Sequence, residues 1–308
     1  MTEEAWFLIV NPQAGGGKGL KKKASIIAAL QHAGLSHFVY ETKCPGDAST
    51  SVEEAVSKGY RRFVVAGGDG TLNEVANGIL NQKYVPSDQL LLAQIPVGTG
   101  NDWRKSWNIP NSIEGSVALL KNPKSAKQDV ASITFQANGK EEKLWFMNVA
   151  GCGFDAEVTL SANAAKAKGK SGFFTYIGQL VKTLASYQEP EVQFRVDNQT
   201  HSAHLFSLLA GICKYAGNAM KLVPQANPSD GLFHLTIASK ISRLKVILNL
   251  PRLFSGSFTQ LKEVKSLTCT EIEIQTSGLP IQADGESIGH TPAIFVVHPL
   301  KLHIVIAP

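Results

Sequence analysis

The stretch FVVAGGDGTLNEVA occupies residues 63–76 and decides the fold of the first part of the chain. Its first four residues are apolar, as in a strand that is buried on both faces of a parallel sheet. The residues after the glycines follow a helical pattern, so the stretch predicts a strand, a glycine loop and a helix. Such a loop brings backbone N–H groups and a helix N-terminus against an anion, and it favours phosphate. Asp69 would repel phosphate unless a divalent cation or a sugar lay between them, which indicates nucleotide and metal chemistry.

Short apolar strands alternate with helical periods over residues 1–130. This alternation predicts crossover connections and a parallel sheet, which binds its ligands beyond the carboxyl ends of the strands. Three loops of unusual composition follow strands in this part of the chain, at residues 11–19, 67–71 and 96–102. The predicted strands are 5–11, 36–42, 62–66 and 90–95, and the predicted helices are about 19–33, 47–58, 71–80 and 112–121.

Beyond residue 130 the pattern changes to short alternating strands, with turn signals such as Asn138-Gly139. The predicted strands are 130–136, 143–149, 191–197, 202–212, 232–238, 264–276, 280–283, 293–297 and 300–306. Spacing of this kind predicts an antiparallel sandwich or barrel, interrupted by helical stretches at about 155–187 and 242–254. A chain of 308 residues is longer than most single domains. We therefore predict an α/β domain over residues 1–130 and a β-sandwich domain over 131–308, with the last strand able to return to the first domain.

Composition excludes several classes of protein. The net charge of +5 suits an anionic partner such as a nucleotide or a membrane surface. No basic motif interleaved with aromatic residues is present, so nucleic acid is not an expected partner. The four cysteines are widely spaced, which favours neither a zinc site nor a disulfide framework and fits a reducing cytosol. The acidic start of the chain does not resemble a signal peptide, and no stretch approaches the roughly 20 apolar residues of a membrane span, so any membrane contact is expected to be peripheral.

The first and third loops each allow two interpretations. Gly15–Gly17 would let backbone amides approach phosphate and Lys18 could neutralise its charge, but the loop lacks the Gly-Lys-Ser/Thr ending of a P-loop and could be a plain turn. In the third loop, Thr99 and Asn101 offer neutral hydrogen bonds and Asp102 offers a carboxylate, or one of these residues simply caps the next helix.

Asp284-Gly285-Glu286 follows a predicted strand far down the chain. The tripeptide could be an exposed turn. Phosphoryl transfer to an alcohol needs a carboxylate that accepts the hydroxyl proton, together with magnesium on the phosphate oxygens. Glu286 suits the first role and Asp284 the second.

The motifs at Asn11-Pro12, Gly67–Thr71, Gly98–Asp102, Asn148 to Asp155, Asp230-Gly231 and Asp284–Glu286 occur in the order found in the diacylglycerol kinase catalytic-domain family. The chain resembles the bacterial lipid kinase branch of that family, which is similar to sphingosine kinases, over nearly its full length. The resemblance implies an amino-terminal α/β domain of the NAD kinase and phosphofructokinase type, a carboxy-terminal β-sandwich, and ATP in the cleft between them.

The resemblance also implies roles for individual residues. Glu286 would be the catalytic base, and four aspartates, Asp69, Asp102, Asp129 and Asp284, would support magnesium or the network that positions it. The nucleotide contacts would be Asn11, Pro12, Gln13, Ala14, Gly15, Thr42, Gly68, Asp69, Gly70, Thr71, Leu72, Asn73, Glu74 and Thr99.

A second, structural magnesium site is implied in the segment 226–232. Its ligands would be Asp230, the Leu232 carbonyl and the residue at position 227. That residue is Asn227 in this chain, where the family pattern has an aspartate. Losing one anionic ligand should weaken a site for a hard cation.

The expected reaction is transfer of the ATP γ-phosphoryl group to a lipid hydroxyl, most readily diacylglycerol or a related lipid. The segment 241–254 mixes leucines with three cations, as an interfacial helix would, although such spacing also suits packing on a core. The chain is accordingly expected to be cytoplasmic and to contact the inner face of the membrane. The alternatives are an NAD kinase, which shares the Gly-Gly-Asp-Gly signal, and a non-catalytic nucleotide or lipid sensor. An exposed sandwich edge could also pair with a second copy to form a homodimer.

Overall fold

The structure, a computed structural model, describes residues 3–98, 101–169 and 172–308. It divides into one unit of Met1–Asp129 with Pro299–Pro308, and a second unit of Val130–His298. None of the helices among the described residues is long and apolar enough to cross a bilayer.

The first unit is built on β-strands that pair in parallel. Strand β1 lies between β2 and β3, and β4 pairs with β3 on the far side. The elements are β1 (Trp6–Val10), α1 (Ala14–His32), β2 (His37–Glu41), α2 (Asp47–Ser57), β3 (Arg62–Gly67), α3 (Asp69–Asn81), β4 (Leu91–Pro96), α4 (Trp103–Ser106) and α5 (Ile113–Lys121).

Most strands of this unit are buried in its hydrophobic core. All five residues of β1 are buried, as expected for a strand covered on both faces. Ile26 and Leu30 of α1 and Val117 and Leu120 of α5 pack against alternate strand residues of the sheet. Helix α5 begins at a Ser112 cap, whose side chain accepts a hydrogen bond from the Gly115 N–H at 3.1 Å.

The second unit consists mainly of antiparallel strands, with two helices after β7 and two more after β10. Its elements are β5 (Lys124–Ala137), β6 (Lys140–Phe146), β7 (Val149–Gly153), α6 (Phe154–Ala167), α7 (Phe173–Ser186), β8 (Glu191–Val196), β9 (Gln199–Gly211), β10 (Phe233–Ser239), α8 (Arg243–Asn249), α9 (Arg252–Ser255), β11 (Val264–Cys269), β12 (Glu271–Ile274), β13 (Pro280–Ala283) and β14 (Glu286–Ile306). The strands β5 and β14 also extend into the first unit along the chain.

Two long strands each take part in two sets of pairings. Strand β9 pairs with β8 through residues 199–204 and with β7 and β10 through its later residues. Strand β14 pairs with β13 near its start and with β12 through residues 293–296. After residue 298 it continues in the first unit, where His303 and Ile304 pair in parallel with Leu91 and Leu92 of β4.

Several predicted elements were wrong in their extent. The stretch 155–187 is two helices, because α6 ends at Ala167 and α7 begins at Phe173. The stretch 264–276 is two strands, β11 and β12. Conversely, the strands predicted at 293–297 and 300–306 belong to the single strand β14, which continues through the left-handed residue Leu300.

Candidate active site

The loops that follow β1, β3 and β4 meet at the carboxyl edge of the first unit's sheet. The Asn11 side-chain amide donates to Thr71 Oγ1 at 2.8 Å, which joins the first loop to the second. The Asp102 N–H donates to Asp69 Oδ2 at 2.7 Å, which joins the third loop to the second. The backbones of Gly15 and Gly98 also approach closely, since a Cβ on Gly15 would lie 2.6 Å from the Gly98 Cα. The structure therefore brings together the three loops that the sequence singled out.

The glycine loop at the start of α1 adopts a backbone that other residues rarely accept. Gly15, Gly16 and Gly17 have φ of +62°, +70° and +85°, in the left-handed region. The N–H groups of Gly16 and Gly17 donate to the Gln13 carbonyl at 3.2 and 3.3 Å. These amides would have to exchange that acceptor for phosphate if they bound a nucleotide.

The Gly-Gly-Asp-Gly-Thr loop runs directly into α3. Gly68 is the extended residue before the helix, and its carbonyl accepts the first helical bond, from the Leu72 N–H at 3.1 Å. The amides of Asp69, Gly70 and Thr71 therefore belong to the first turn, where helix N–H groups have no acceptor within the helix. A phosphate would find both these donors and the positive end of the helix dipole there.

Asp102 is buried beside this loop, and Lys105 Nζ lies 2.8 Å from its Oδ1. The neighbouring Asn101 side chain is also buried, and its Oδ1 has no hydrogen-bond partner in the described ranges 3–98, 101–169 and 172–308. Asp129 lies elsewhere in the unit. It is fully buried, and its Oδ1 accepts the Leu300 N–H at 2.8 Å, which fixes the returning end of β14.

The remaining predicted nucleotide contacts are spread around the same edge. The Thr42 N–H donates to the Val10 carbonyl at 3.0 Å, which holds the end of β2 beside the first loop. Leu72 is buried, so its side chain serves the core. Thr99 lies outside the described residues. The other predicted contacts are Pro12 and Ala14 in the first loop, and Asn73 and Glu74 in the second turn of α3.

In the second unit, Asp284 and Gly285 form the two-residue turn between β13 and β14. Their φ values of +49° and +85° match the type I′ turn that Asp-Gly favours in hairpins. The Asp284 carboxylate accepts three backbone N–H groups, from Met147, Asn148 and Val149, at 2.9 to 3.1 Å. It thus fixes the start of β7 to the turn, a structural role that the sequence did not suggest.

Glu286 follows that turn and remains half exposed. Its Oε2 accepts a hydrogen bond from the Asn163 amide at 3.0 Å, and Lys166 Nζ lies 3.3 Å from its Oε1. Both partners lie near the C-terminal end of α6. Glu286 is therefore an accessible carboxylate that has a defined orientation.

Gln282 connects this turn to a second acidic side chain. Its Oε1 accepts the Gly285 N–H at 3.2 Å, and its Nε2 donates to Asp155 Oδ2 at 3.2 Å. Ser207 donates to Asp155 Oδ1 at 2.6 Å. Burial raises the pKa of Asp155 to about 7, although the hydrogen bonds from Ser207 and Gln282 favour its ionised form.

Asp155 and Ser207 line an apolar pocket within the second unit. Residues of helices α6, α7 and α8 and of strands β9 and β10 line it. Its apolar lining includes Phe154, Val158, Leu180, Phe206, Leu250 and Phe258. A pocket of this kind suits a hydrocarbon chain with a polar end group.

Helix α8 lines the pocket with one face and leaves the other exposed. Val246 and Leu250 face the pocket, whereas Leu244 and Leu248 are 66% and 70% exposed. The cations of this segment are engaged elsewhere. Lys245 Nζ lies 2.8 Å from both carboxylate oxygens of Glu263, and the Arg243 guanidinium donates to the Tyr187 carbonyl at 3.0 Å.

The segment proposed for structural magnesium has its polar groups committed to protein contacts. Asp230 accepts the Leu232 N–H through Oδ1 at 3.1 Å, and its Oδ2 lies 2.9 Å from His234 Nε2. Asn227 Oδ1 accepts the Ser229 N–H at 3.3 Å. Among the residues that the structure describes, no group of three or more His, Cys, Asp or Glu side chains could hold a metal ion. Asp230, the Leu232 carbonyl and Asn227 remain the predicted ligands of this site.

Two family models match this chain. Residues 5–133 match the profile described as the diacylglycerol kinase catalytic domain, and residues 148–306 match the YegS C-terminal NAD kinase beta sandwich-like domain. The chain belongs to the diacylglycerol kinase family. This confirms the resemblance predicted from the motifs, and it makes the chain a phosphotransferase of the diacylglycerol kinase type.

Relatives of the family match over almost the whole chain. A diacylglycerol kinase from Staphylococcus aureus (strain MRSA252) is 31% identical, over 98% of this chain and 91% of the relative. One from Staphylococcus carnosus (strain TM300) is 29% identical, over 96% of this chain and 92% of the relative. A solved structure from Bacillus anthracis str. Sterne, described as a candidate diacylglycerol kinase, superposes with a TM-score of 0.77 at 25% identity and covers 99% of this chain and 98% of its own.

For this family member, sequence reasoning did not identify the residues of the apolar pocket. The motif from Asn148 to Asp155 assigns no role to Asp155, and no motif includes Ser207 or Gln282. Asp155 directly after the small, largely apolar run Val149–Phe154 was a usable signal, because a carboxylate that follows such a run can lie beside a core or a cavity. Nothing local in the sequence connects Ser207 or Gln282 to it.

Proposed function

We propose that this protein transfers the γ-phosphoryl group of ATP to the hydroxyl of diacylglycerol or a closely related lipid. The observation that carries the proposal is the link made by Gln282, which contacts both Asp155 in the apolar pocket and the turn that bears Glu286. A kinase with a lipid acceptor requires an apolar pocket for the hydrocarbon chain and an accessible carboxylate for the hydroxyl proton. The hairpin of β13 and β14 carries that carboxylate and is joined to the pocket through Gln282. An NAD acceptor has no hydrocarbon chain for this pocket.

Glu286 is the proposed general base. It takes the proton from the lipid hydroxyl as the hydroxyl oxygen forms a bond to the γ-phosphorus, and the bond from that phosphorus to the β,γ-bridging oxygen breaks to release ADP. The contacts from Asn163 and Lys166 support this role, because they restrict the side-chain rotamers of an exposed glutamate. Asp284 supports the base indirectly, by fixing the hairpin turn.

The first unit is proposed to bind ATP, as an α/β domain of the NAD kinase and phosphofructokinase type. The first turn of α3 would receive phosphate, and the loop from Asn11 to Gly15 would close over it. Asn11 supports this arrangement because its bond to Thr71 Oγ1 ties the two loops together. Thr42, Asn73, Glu74 and Thr99 remain proposed contacts of the nucleotide.

Magnesium is the proposed companion of ATP. When bound, it would neutralise the phosphate charge that develops during transfer. The oxygen atoms at the loop cluster fit it, because the Asp102 N–H donates to Asp69 Oδ2, which places the two aspartates next to each other, and the buried Asn101 Oδ1 is an acceptor with no partner among the described residues. Magnesium usually takes one or two carboxylates and completes its shell with phosphate and water, so a dense acidic cluster is not required. Asp129 remains a proposed member of the supporting network.

The protein is proposed to reach its acceptor by peripheral contact with the cytoplasmic face of a membrane. Leu244 and Leu248 support this contact, because they are exposed on the helix whose other face lines the pocket. Since Arg243 and Lys245 are engaged within the protein, the leucines should contribute more than those cations. Sedimentation with liposomes should show weaker binding for the pair Leu244→Ser and Leu248→Ser. Leu20→Ser, at a leucine that is 60% exposed in the first unit, is the control.

The function is tested by transfer from labelled ATP with magnesium to a panel of lipids in mixed micelles, with NAD included. Labelled phosphatidic acid formed by the native chain, and lost in Glu286→Gln with ATP affinity retained, is the expected result. Glu141→Gln, at an exposed glutamate on β6, is the control for the loss of one carboxylate. Labelled NADP, or full turnover by Glu286→Gln, would contradict the proposal.

A further inference from the structure

We propose that the Thr236 hydroxyl binds an ester carbonyl of the acceptor lipid and so selects acyl-ester lipids over their ether analogues. This inference rests on the proposed function and names the substrate class of the same pocket. Thr236 lies in the middle of β10 and is 2% exposed, and it lines the apolar pocket. Its Oγ1 is buried and has no hydrogen-bond partner among the residues that the structure describes.

Other polar side chains of the pocket, unlike Thr236, have hydrogen-bond partners. The Ser207 hydroxyl and the Gln282 amide both donate to the Asp155 carboxylate. The Asn249 amide donates to the Lys245 carbonyl, and its oxygen accepts from Arg252. A buried hydroxyl that makes no bond destabilises the folded protein, whereas valine has nearly the same shape and no hydroxyl. The hydroxyl at this position therefore needs a partner that the described part of the chain does not provide.

The pocket indicates the chemistry of that partner. Leu209 is the cross-strand neighbour of Thr236 and also lines the pocket, so a ligand at this depth is surrounded mainly by hydrocarbon. An acyl chain enters such a pocket with its ester group attached. The ester carbonyl is a strong acceptor that cannot donate, and it matches the donor that Thr236 offers. An ether oxygen at the same place is a much weaker acceptor, and a dialkyl lipid has no carbonyl.

The test compares two lipids that differ only in those carbonyls, a 1,2-diacylglycerol and the 1,2-dialkylglycerol of equal chain length. Binding is measured first, without ATP, as the rise in the unfolding temperature of the native chain in micelles that contain each lipid. The native chain should bind the diester about tenfold more tightly, as expected for one buried hydrogen bond of about 1.4 kcal/mol. Thr236→Val should bind both lipids equally, through loss of affinity for the diester alone, and Thr236→Ser should retain the preference.

Two controls keep the result interpretable. Thr268→Val changes an exposed threonine on the adjacent strand β11 and should keep the native preference. Thr236→Val should unfold at a temperature equal to or above that of the native protein when no lipid is present, because it removes an unpaired buried hydroxyl. Loss of ester selectivity in a protein of undiminished stability cannot be attributed to misfolding.

Turnover is measured second, with both lipids and labelled ATP. Equal binding of the two lipids by the native chain, or a preference that survives in Thr236→Val, would overturn the role of Thr236. Ester-selective binding that Thr236→Val abolishes, with no label transferred to either lipid, would uphold the role of Thr236 and refute the kinase proposal. The two hypotheses therefore fail by different measurements.

Discussion

Asp155 should reduce the stability of the folded protein at neutral and alkaline pH. Burial raises its pKa from 3.8 to about 7. Below about pH 4 the carboxyl is protonated in both the folded and the unfolded chain, so it has no effect on the difference between them. Between about pH 4 and 7 the unfolded chain ionises first, and the free energy of unfolding falls as pH rises. Above about pH 7 the carboxyl is ionised in both states, and the free energy of unfolding falls no further.

The size of this effect follows from the pKa difference. About 3 pKa units at 1.36 kcal/mol each give about 4 kcal/mol, which is an upper bound because Asp155 lines a pocket that water can enter. Asp155→Asn removes the ionisation and keeps an oxygen that can accept from Ser207. The free energy of unfolding of Asp155→Asn minus that of the native chain should therefore be about 2 to 4 kcal/mol larger at pH 8 than at pH 4.5.

Urea unfolding of both proteins at the two pH values measures this difference directly. Asp88→Asn is the control, because the exposed Asp88 carboxylate is paired with Lys127 and its pKa is lowered. The stability of that variant relative to the native chain should fall slightly as pH rises from 4.5 to 8. A difference between Asp155→Asn and the native chain that is the same at pH 4.5 and 8 would show that Asp155 ionises normally, and the argument from burial would be wrong.

Three further predictions concern the loops and the turn. Gly15→Ala should raise the KM for ATP at least tenfold, because the added Cβ would clash with Gly98. Gly16→Ala is the control, because its Cβ meets no atom within 4 Å and it should show only the cost of its backbone conformation. Equal effects of the two variants would argue against the clash between Gly15 and Gly98. Asp284→Ala should cost about 2 to 4 kcal/mol in urea unfolding, since three backbone N–H groups lose their acceptor, and a loss below 1 kcal/mol would contradict this role. Ser112→Ala should cost about 1 kcal/mol by the same measurement, and Ser112→Gly only a few tenths, as expected for a helix cap.

The elements of the first unit were largely predictable from the sequence, because each has a strong local signal. The buried strand β3 is a continuous apolar run bounded by glycine, and helix α3 follows with a clear helical period. The start of α1 was harder to place. The prediction began it near residue 19, whereas the structure begins it at Ala14 and then interrupts it at the three left-handed glycines.

In the candidate site, sequence could identify the loops but could not assign each side chain a role. Glu286 and Asp284 are two residues apart, and the sequence analysis expected both carboxylates to take part in the chemistry. In the structure one carboxylate is accessible and the other is saturated by backbone N–H groups, a difference that depends on residues 147–149 more than 130 positions earlier. Thr236 could not be predicted at all, because an orphan hydroxyl is defined by what surrounds it.

Strand β14 has a consequence for synthesis on the ribosome. The first unit orders its strands β14, β4, β3, β1 and β2, so its sheet lacks a member until residues 299–308 have been made. Val305 is also part of that unit's core. While translation continues, the backbone of β4 presents an unpaired edge to other nascent chains, and such edges promote aggregation. Nucleotide-binding competence should therefore appear late, after the intervening residues 130–298 have been translated.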